Sequence, residues 1–297
     1  MRWEDFRRSD NIEDRRGDPD FGGGGGRGVG GKSGLGLGAV VVLGLIGWAF
    51  GINPALLIGG AQMVNSLRPG QTQQAPQQAP AATPSDQMGQ FVAAVLAANE
   101  DVWSDILPSQ KGIQYVKPKL VLYSGSTRSG CGGANASMGP FYCPNDQKVY
   151  LDTAFFRDMK QRLGGGGDFA YAYVVAHEIG HHIQNLLGIL PRIQTAQARA
   201  DSKSEANAIS VRTELMADCL AGVWAANAQQ KYNMLQPGDV EKAIATAQAI
   251  GDDRLQGETR GYVVPDSFTH GSAAQRVQWL KAGMQSGKVD ACNTFAR

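Results

Sequence analysis

Hydrophobic residues are distributed unevenly along this 297-residue chain, and the pattern divides it into regions. Residues 1–33 are charged and glycine-rich without apolar periodicity, so we expect a disordered head. Residues 34–52 contain no charge, and such a run is long enough to cross a membrane as a helix. We therefore predict a transmembrane anchor at 34–56, a Pro/Gln/Ala-rich linker at 57–85 and a folded domain at 86–297.

The orientation of the predicted anchor follows from the basic residues around it. Seven Lys or Arg precede the apolar run, whereas Arg68 is the only one between residues 57 and 110. The positive-inside rule then predicts a single-pass inner-membrane protein with a cytoplasmic N-terminus and a periplasmic domain. A cleaved signal peptide is the alternative, but its n-region would be unusually long, and no A-x-A-like site follows the apolar run.

The charge balance argues against nucleic acid as a partner. The chain has 28 Lys and Arg against 27 Asp and Glu, and the basic residues are scattered. The head contains "GRGVGGKS", residues 26–33, which matches the phosphate-binding loop pattern. That loop requires a preceding strand and a following helix N-terminus that faces the phosphates, and neither is predicted here. We therefore expect no bound nucleotide.

In the domain, strands precede helices. Apolar residues at helical spacing predict a helix over about 86–106, and "KLVLYSGS" reads as a short strand. "GPFYCPNDQKVYLD" predicts two strands around a Pro-Asn-Asp turn, and the sequence after Asp152 is mainly helical. This order indicates an α+β domain with a small antiparallel β element.

Four cysteines fit an oxidising compartment. Cys131 and Cys143 bracket a glycine-rich loop, so a disulfide between them is our first choice, with Cys219 to Cys292 as the remaining pair. Free thiols, with Cys219 buried in its helix, are the alternative. A cysteine zinc site is disfavoured because no short C-x-x-C spacing occurs.

The strongest candidate chemistry lies in "DFAYAYVVAHEIGHHIQNLLG", a predicted helix that Asp168 would cap and Gly188 would end. His177 and His181 are one turn apart on the side opposite the apolar face, so both imidazoles can reach one metal ion. Glu178 lies roughly 80° from the middle of that pair, which suits a general base better than a ligand. His182 lies roughly 120° away, so we predict a packed or hydrogen-bonded histidine there.

A third ligand must come from another helix, because the extended H-E-x-x-H-x-x-G-x-x-H motif is absent. "ISVRTELMADCLAGVWAANAQ" places Glu214 and Asp218 on one face among small residues, which permits close helix approach. Glu214 could then ligate the metal, and Asp218 could accept the second ring N–H of a liganding histidine. The alternative is an ordinary solvated acidic face.

The last histidine, His270, precedes a helix that Ser272 could cap. It could donate a hydrogen bond to the oxyanion of a reacting carbonyl, or it could make a structural contact instead. Arg276 in the following helix could anchor a carboxylate of the site.

"HEIGHHIQN" followed by "ELMADCLAGVWA" resembles the bacterial family of neutral zinc metallopeptidases, single-span proteins with an outer catalytic domain. The N-terminal "MRWEDFRRSDNIEDRRG" and "GPFYCPNDQKVYLD" are also similar to that family. More distantly, the H-E-x-x-H and E-x-x-x-D pair resembles gluzincin peptidases. The resemblance implies a zincin-like domain with His177, His181 and Glu214 as ligands of one catalytic Zn²⁺, Glu178 as base and Asp218 as orienting residue. It supports His270 less well, because Gly271 stands where the gluzincin endopeptidases have proline.

These observations predict a membrane-anchored zinc endopeptidase that hydrolyses a peptide or protein substrate with metal-activated water and Glu178 as general base. One alternative is a membrane-anchored binding or scaffold protein with a structural or vestigial zinc site, which would have no need for Glu178. Another is a zinc amidase that acts on cell-wall material.

Overall fold

Four short strands form a mixed sheet in a computed structural model that describes residues 1–17, 84–162 and 166–296. Their order is β1 (Ile12–Asp14), β2 (Lys119–Tyr123), β6 (Lys148–Asp152) and β5 (Phe141–Cys143). β1 pairs with β2, and β2 with β6, in parallel, whereas β5 pairs with β6 antiparallel. A separate antiparallel hairpin joins β3 (Ser126–Ser129) to β4 (Gly132–Asn135). The α+β class is confirmed, and β5 and β6 form an antiparallel pair as predicted, whereas the parallel pairings of β1 with β2 and β2 with β6 were not predicted.

The sheet is buried on both faces. On β2, Leu120 and Leu122 belong to the main hydrophobic core, while Val121 and Tyr123 form a second cluster with Cys143 and Tyr150. This division follows from the two-residue period of a strand, which sends successive side chains to opposite faces. Burial on both faces is typical of parallel strands and explains the continuous apolar run in "KLVLY".

Helices make up most of the domain after the sheet. In chain order they are α1 (Gln87–Lys111), α2 (Ala154–Arg162), α3 (Asp168–Leu186), α4 (Ile189–Ala198), α5 (Lys203–Tyr232), α6 (Asp239–Ala249), α7 (Asp252–Arg260) and α8 (Ala273–Ser286). Short 3-10 turns cover Ala136–Met138, Pro265–Ser267 and Val289–Cys292. The observed α1 extends five residues beyond the predicted end at 106.

The helix termini follow local sequence signals. The Asp86 side chain accepts from the Gly89 N–H at the start of α1, and Ser272 forms a capping box with Gln275 at the start of α8. The prediction that Asp168 caps α3 is wrong, because Gly167 occupies the cap position without a side-chain bond. Asp168 is the first helical residue, where its negative charge favours the helix N-terminus.

Glycines allow close contact between the long helices. A Cβ on Gly222 of α5 would lie 2.2 Å from the Leu280 carbonyl oxygen of α8. A Cβ on Gly283 of α8 would lie 1.9 Å from the Cys219 carbonyl oxygen of α5. Neither position can hold a larger residue without separating the helices, so the two glycines determine how closely α8 approaches α5.

The first seventeen residues, which we call the N-terminal segment, are ordered on the domain. This finding corrects the expectation of a disordered head for that part of residues 1–33. Trp3 is 8% exposed and Ile12 is 2% exposed, and β1 forms the outer strand of the sheet. A segment without local periodicity is ordered here because it packs on surfaces that are distant in the sequence.

The predicted anchor at 34–56, the phosphate-loop match at 26–33 and nearly all of the predicted linker at 57–85 lie outside the described residues. Within the described ranges, no helix combines the length and the apolar character needed to cross a membrane.

Both first-choice disulfides are present. Cys131 pairs with Cys143 across twelve positions, which closes the loop that contains β4. Cys219 pairs with Cys292 across 73 positions and ties the C-terminal turn to α5. Cys219 directly follows Asp218, so this second bond lies beside the predicted site.

Candidate metal centre

The predicted metal centre lies where α3 crosses α5. Gly180 of α3 faces Ala217 of α5, and a Cβ on Gly180 would lie 3.0 Å from the Ala217 carbonyl oxygen. The absence of a side chain at Gly180 lets the two helices meet closely between His177 and His181. Glu214, one turn before Asp218, is thereby brought against both histidines.

Three donor atoms converge at this crossing. His177 Nε2 lies 3.1 Å from Glu214 Oε2, and His181 Nε2 lies 3.5 Å from Glu214 Oε1. One ligand atom of each residue lies within 4.8 Å of the other two, a spacing that could hold a metal ion. Ligand atoms bound to one tetrahedral zinc ion are about 3.4 Å apart, so the observed separations fit such an ion.

Each histidine ring is fixed through its other nitrogen. His177 Nδ1 lies 2.8 Å from Asp218 Oδ1, and His181 Nδ1 lies 2.9 Å from Gln184 Oε1. Because each Nδ1–H donates to one of these oxygens, Nε2 is the nitrogen available to a metal on both rings. This role was predicted for Asp218 but not for Gln184, although Gln184 lies one helical turn after His181 and could have been found from that spacing.

Asp218 is fully buried and is the centre of a polar network. Arg276 donates from Nε to Oδ2 and from Nη2 to Oδ1, both over 2.9 Å. Tyr173 Oη donates to Oδ1 over 2.6 Å. The suggestion that Arg276 anchors a carboxylate is therefore confirmed, and that carboxylate is Asp218. Tyr173 was missed, although it lies one turn before His177.

The network determines the charges of the site. Burial alone would lower the pKa of His177, but the Asp218 and Glu214 carboxylates outweigh it and raise that pKa to about 10. Burial would raise the pKa of Asp218, yet the Arg276 guanidinium and His177 bring it down to about 2. Burial opposes ionisation of Glu214 as well, and His181 and His177 still hold its pKa well below the usual range. Both carboxylates are therefore ionised at neutral pH, which favours a positive charge on the His177 ring between them. A metal ion held by the three donors would replace the proton on His177 Nε2.

The Glu178 carboxylate lies near the three donor residues but forms no hydrogen bond with them. Glu178 is 7% exposed, and no described residue donates a hydrogen bond to its carboxylate. Its oxygens are not among the fully buried unpaired atoms of the described residues, so they keep some contact with solvent. Burial raises the pKa of Glu178, and the His177 and His181 charges partly offset that rise. The result is a buried carboxylate that can take up a proton.

His182 is turned away from the three donors. It is fully buried, its Nε2 donates to the Val116 carbonyl over 2.6 Å, and its Nδ1 accepts from Tyr142 Oη over 3.0 Å. Tyr142 in turn accepts from Asn185. His182 therefore links α3 to β5 and to the loop before β2, a packed and hydrogen-bonded position as expected.

His270 lies on a loop held by one carboxylate. Asp252 Oδ2 accepts the backbone N–H groups of Thr269, His270 and Gly271 over 2.7, 2.6 and 3.0 Å. His270 Nδ1 lies 2.9 Å from Thr269 Oγ1 and 3.4 Å from Asp252 Oδ1. Burial raises the pKa of Glu214, and His270 lowers it through its charge, by less than His181 and His177 do. The loop thus brings His270 near the three donors.

Comparison with known sequences supports the same chemistry. The family described as "Putative neutral zinc metallopeptidase" matches residues 1–295. The Escherichia coli (strain K12) protein named "Uncharacterized protein YpfJ" is 46% identical over 305 residues, covering 100% of this chain and 99% of that protein. The Mycobacterium tuberculosis (strain H37Rv) protein named "Uncharacterized protein Rv2575" is 46% identical over 206 residues, covering 66% of each chain. No solved structure matches the chain, so the zincin-like fold stays a prediction.

Proposed function

The chain belongs to the "Putative neutral zinc metallopeptidase" family, and on that premise we propose that it is a zinc-dependent endopeptidase. The observation that carries this proposal is the Glu178 carboxylate, which accepts no hydrogen bond from a described residue and lies near the donors of His177, His181 and Glu214. A site that only stabilised the fold would need the three ligands and would gain nothing from a further carboxylate beside them that makes no hydrogen bond.

Each residue of the site would have a separate role in hydrolysis. His177, His181 and Glu214 would hold the ion, and Asp218 and Gln184 would keep both rings in the binding tautomer. A bound zinc ion polarises a carbonyl oxygen and lowers the pKa of water to about 7. Glu178 takes a proton from the attacking water and delivers it to the leaving amine. His270 would donate a hydrogen bond to the developing oxyanion.

The sheet offers a place for an extended peptide. β5 is the terminal strand of the described sheet, and its Tyr142 contacts His182 on α3. A peptide that paired with the open edge of β5 would therefore lie alongside the helix that carries Glu178. This arrangement supports a peptide as substrate.

The test compares the full chain with its Glu178→Gln variant on a broad peptide library, with bound zinc measured on both proteins. We expect both to hold one zinc ion and the variant to cleave about 100-fold more slowly or worse. Glu258→Gln makes the same change at an exposed position of α7 and should leave cleavage unchanged. If the zinc-loaded wild type cleaves no faster than Glu178→Gln, the peptidase proposal fails and a structural zinc site is favoured.

A further inference from the structure

The N-terminal segment joins the domain through backbone hydrogen bonds at several separate places. β1 pairs with β2 with Ile12 opposite Leu120, and the Arg15 N–H donates to the Leu122 carbonyl over 2.8 Å. The Ser9 N–H donates to the Ala93 carbonyl of α1 over 3.1 Å. Bonds of this kind require the two parts of the chain to be within about 3 Å of each other.

A buried carboxylate of the domain depends on the same segment. Glu100 of α1 is fully buried, and its Oε1 accepts from Ser9 Oγ over 2.5 Å and from Asn11 Nδ2 over 2.7 Å. Its Oε2 accepts from Arg7 Nη2 over 2.6 Å, and Lys117 Nζ lies 3.5 Å away. Without the segment, the described residues would leave Glu100 only the ion pair with Lys117 at 3.5 Å, and a buried carboxylate with so little compensation is costly. The domain surface is therefore complementary to this segment.

Two of the basic residues that suggested a cytoplasmic head, Arg7 and Arg16, form ion pairs with residues of the domain. Arg7 also pairs with Asp101, and Arg16 pairs with Asp14 and with Asp86, the cap of α1. Trp3 packs edge-on against Phe91 with ring centroids 5.3 Å apart. The positive-inside rule weighs Lys and Arg within about 15–20 residues of a span, and Arg7 lies farther than that from residue 34.

These contacts constrain the topology of the chain. The hydrocarbon core of a bilayer is about 30 Å thick, so a single crossing between residues 17 and 84 would separate groups that are in contact. The Cys131–Cys143 and Cys219–Cys292 disulfides are typical of an oxidising compartment. We propose that the N-terminal segment and residues 84–296 share one compartment outside the cytoplasm. This proposal replaces the predicted cytoplasmic N-terminus.

Cysteine accessibility tests the proposal in the full chain. Asp10→Cys labels the N-terminal segment and Glu258→Cys labels the domain, both at exposed positions. The parent chain serves as the blank, since its four cysteines are paired in disulfides. A membrane-impermeant maleimide is applied to spheroplasts before and after lysis, with a cytosolic thiol protein as the marker of leakage.

We expect both cysteines to react in intact spheroplasts to the same extent. Reaction of Glu258→Cys before lysis and of Asp10→Cys only after lysis would overturn the proposal. Reaction of both only after lysis would overturn it too, because the shared compartment would then be the cytoplasm.

Hydrogen exchange gives a second readout that does not need an added cysteine. In membrane vesicles that hold the full chain, we expect the amides of Ser9 and Arg15 to exchange at least about 100-fold more slowly than in a free peptide of residues 1–17. Exchange at the rate of the free peptide would contradict the proposed docking.

Discussion

Arg276 holds Asp218 with a two-pronged contact, in which Nε donates to Oδ2 and Nη2 to Oδ1, each over 2.9 Å. Asp218 in turn accepts from His177 Nδ1 over 2.8 Å. The last helix, α8, therefore helps to orient a candidate ligand on α3 through a carboxylate on α5. Residues of three helices, α3, α5 and α8, therefore determine the orientation of the His177 ring.

Replacing Arg276 with lysine tests this relationship. Arg276→Lys keeps the positive charge but loses the planar fork, so we expect the free energy of unfolding to fall by about 1–3 kcal/mol. Zinc affinity should fall by about 10-fold to 100-fold, because the ring of His177 loses its fixed partner. Chelator competition and urea denaturation measure the two effects. Arg254→Lys at an exposed position of α7 is the control, and an unchanged zinc affinity in Arg276→Lys would contradict the positioning role.

Gln184 should hold the His181 ring in the orientation that leaves Nε2 available to a metal ion. Gln184 is fully buried. Its Oε1 accepts a hydrogen bond from His181 Nδ1 over 2.9 Å, and its Nε2 donates to the Thr213 carbonyl over 2.7 Å. Gln184→Met conserves the approximate volume without these bonds, so we expect zinc affinity to fall by about 10-fold. Gln194→Met makes the same change on the exposed surface of α4 and should leave the affinity unchanged. Equal affinities in the two variants would remove Gln184 from the site.

The helix contact at Gly283 should tolerate no side chain. Gly283→Ala would place a Cβ 1.9 Å from the Cys219 carbonyl oxygen, so α8 must shift away from α5. We expect a loss of about 3 kcal/mol or more in the free energy of unfolding, measured by urea denaturation.

Gly257→Ala is the matched control for that substitution. A Cβ there meets nothing within 4 Å, and Gly257 lies inside α7. Alanine should therefore stabilise the protein by about 0.5–1 kcal/mol. If both variants unfold at the same urea concentration, the close approach of α5 and α8 is not required.

Docking of the N-terminal segment should weaken in acid. The hydrogen bond from Arg16 lowers the pKa of Asp86 from 3.8 to about 2. Burial opposes a similar shift at Asp101, but Arg7 outweighs it and lowers that pKa too. A lowered pKa in the folded state contributes stability that is present above the unfolded pKa and is lost as pH falls through the folded value. The segment should therefore loosen as pH falls from about 4 to about 2.

Fluorescence anisotropy can measure that release. A fluorophore on Asp10→Cys should lose anisotropy over this pH range before the domain unfolds. The same fluorophore on Glu258→Cys reports the domain alone. If both labels lose anisotropy only at the pH of global unfolding, the ion pairs of Arg7 and Arg16 do not control docking.

Features that depend on the geometry of a single helix could be predicted from the sequence. The 3.6-residue period places His177 and His181 on one face and offsets Glu178 and His182, and Ser272 caps its helix as predicted. Glu214 and Asp218 could also be predicted from the sequence, because their spacing and the small residues around them are local features of one helix.

Contacts between segments far apart in the chain could not be predicted from local sequence patterns. The convergence of Arg276 and Tyr173 on Asp218, the parallel pairing of β1 with β2, and the dependence of Glu100 on Ser9 and Arg7 all join segments far apart in the chain. A local pattern shows which side of an element is buried, but not which other segment covers it. Burial of a charged group such as Glu100 is favourable only when its partners from residues 1–17 are bound to it. The ordering of residues 1–17 therefore depends on contacts with residues far away in the sequence.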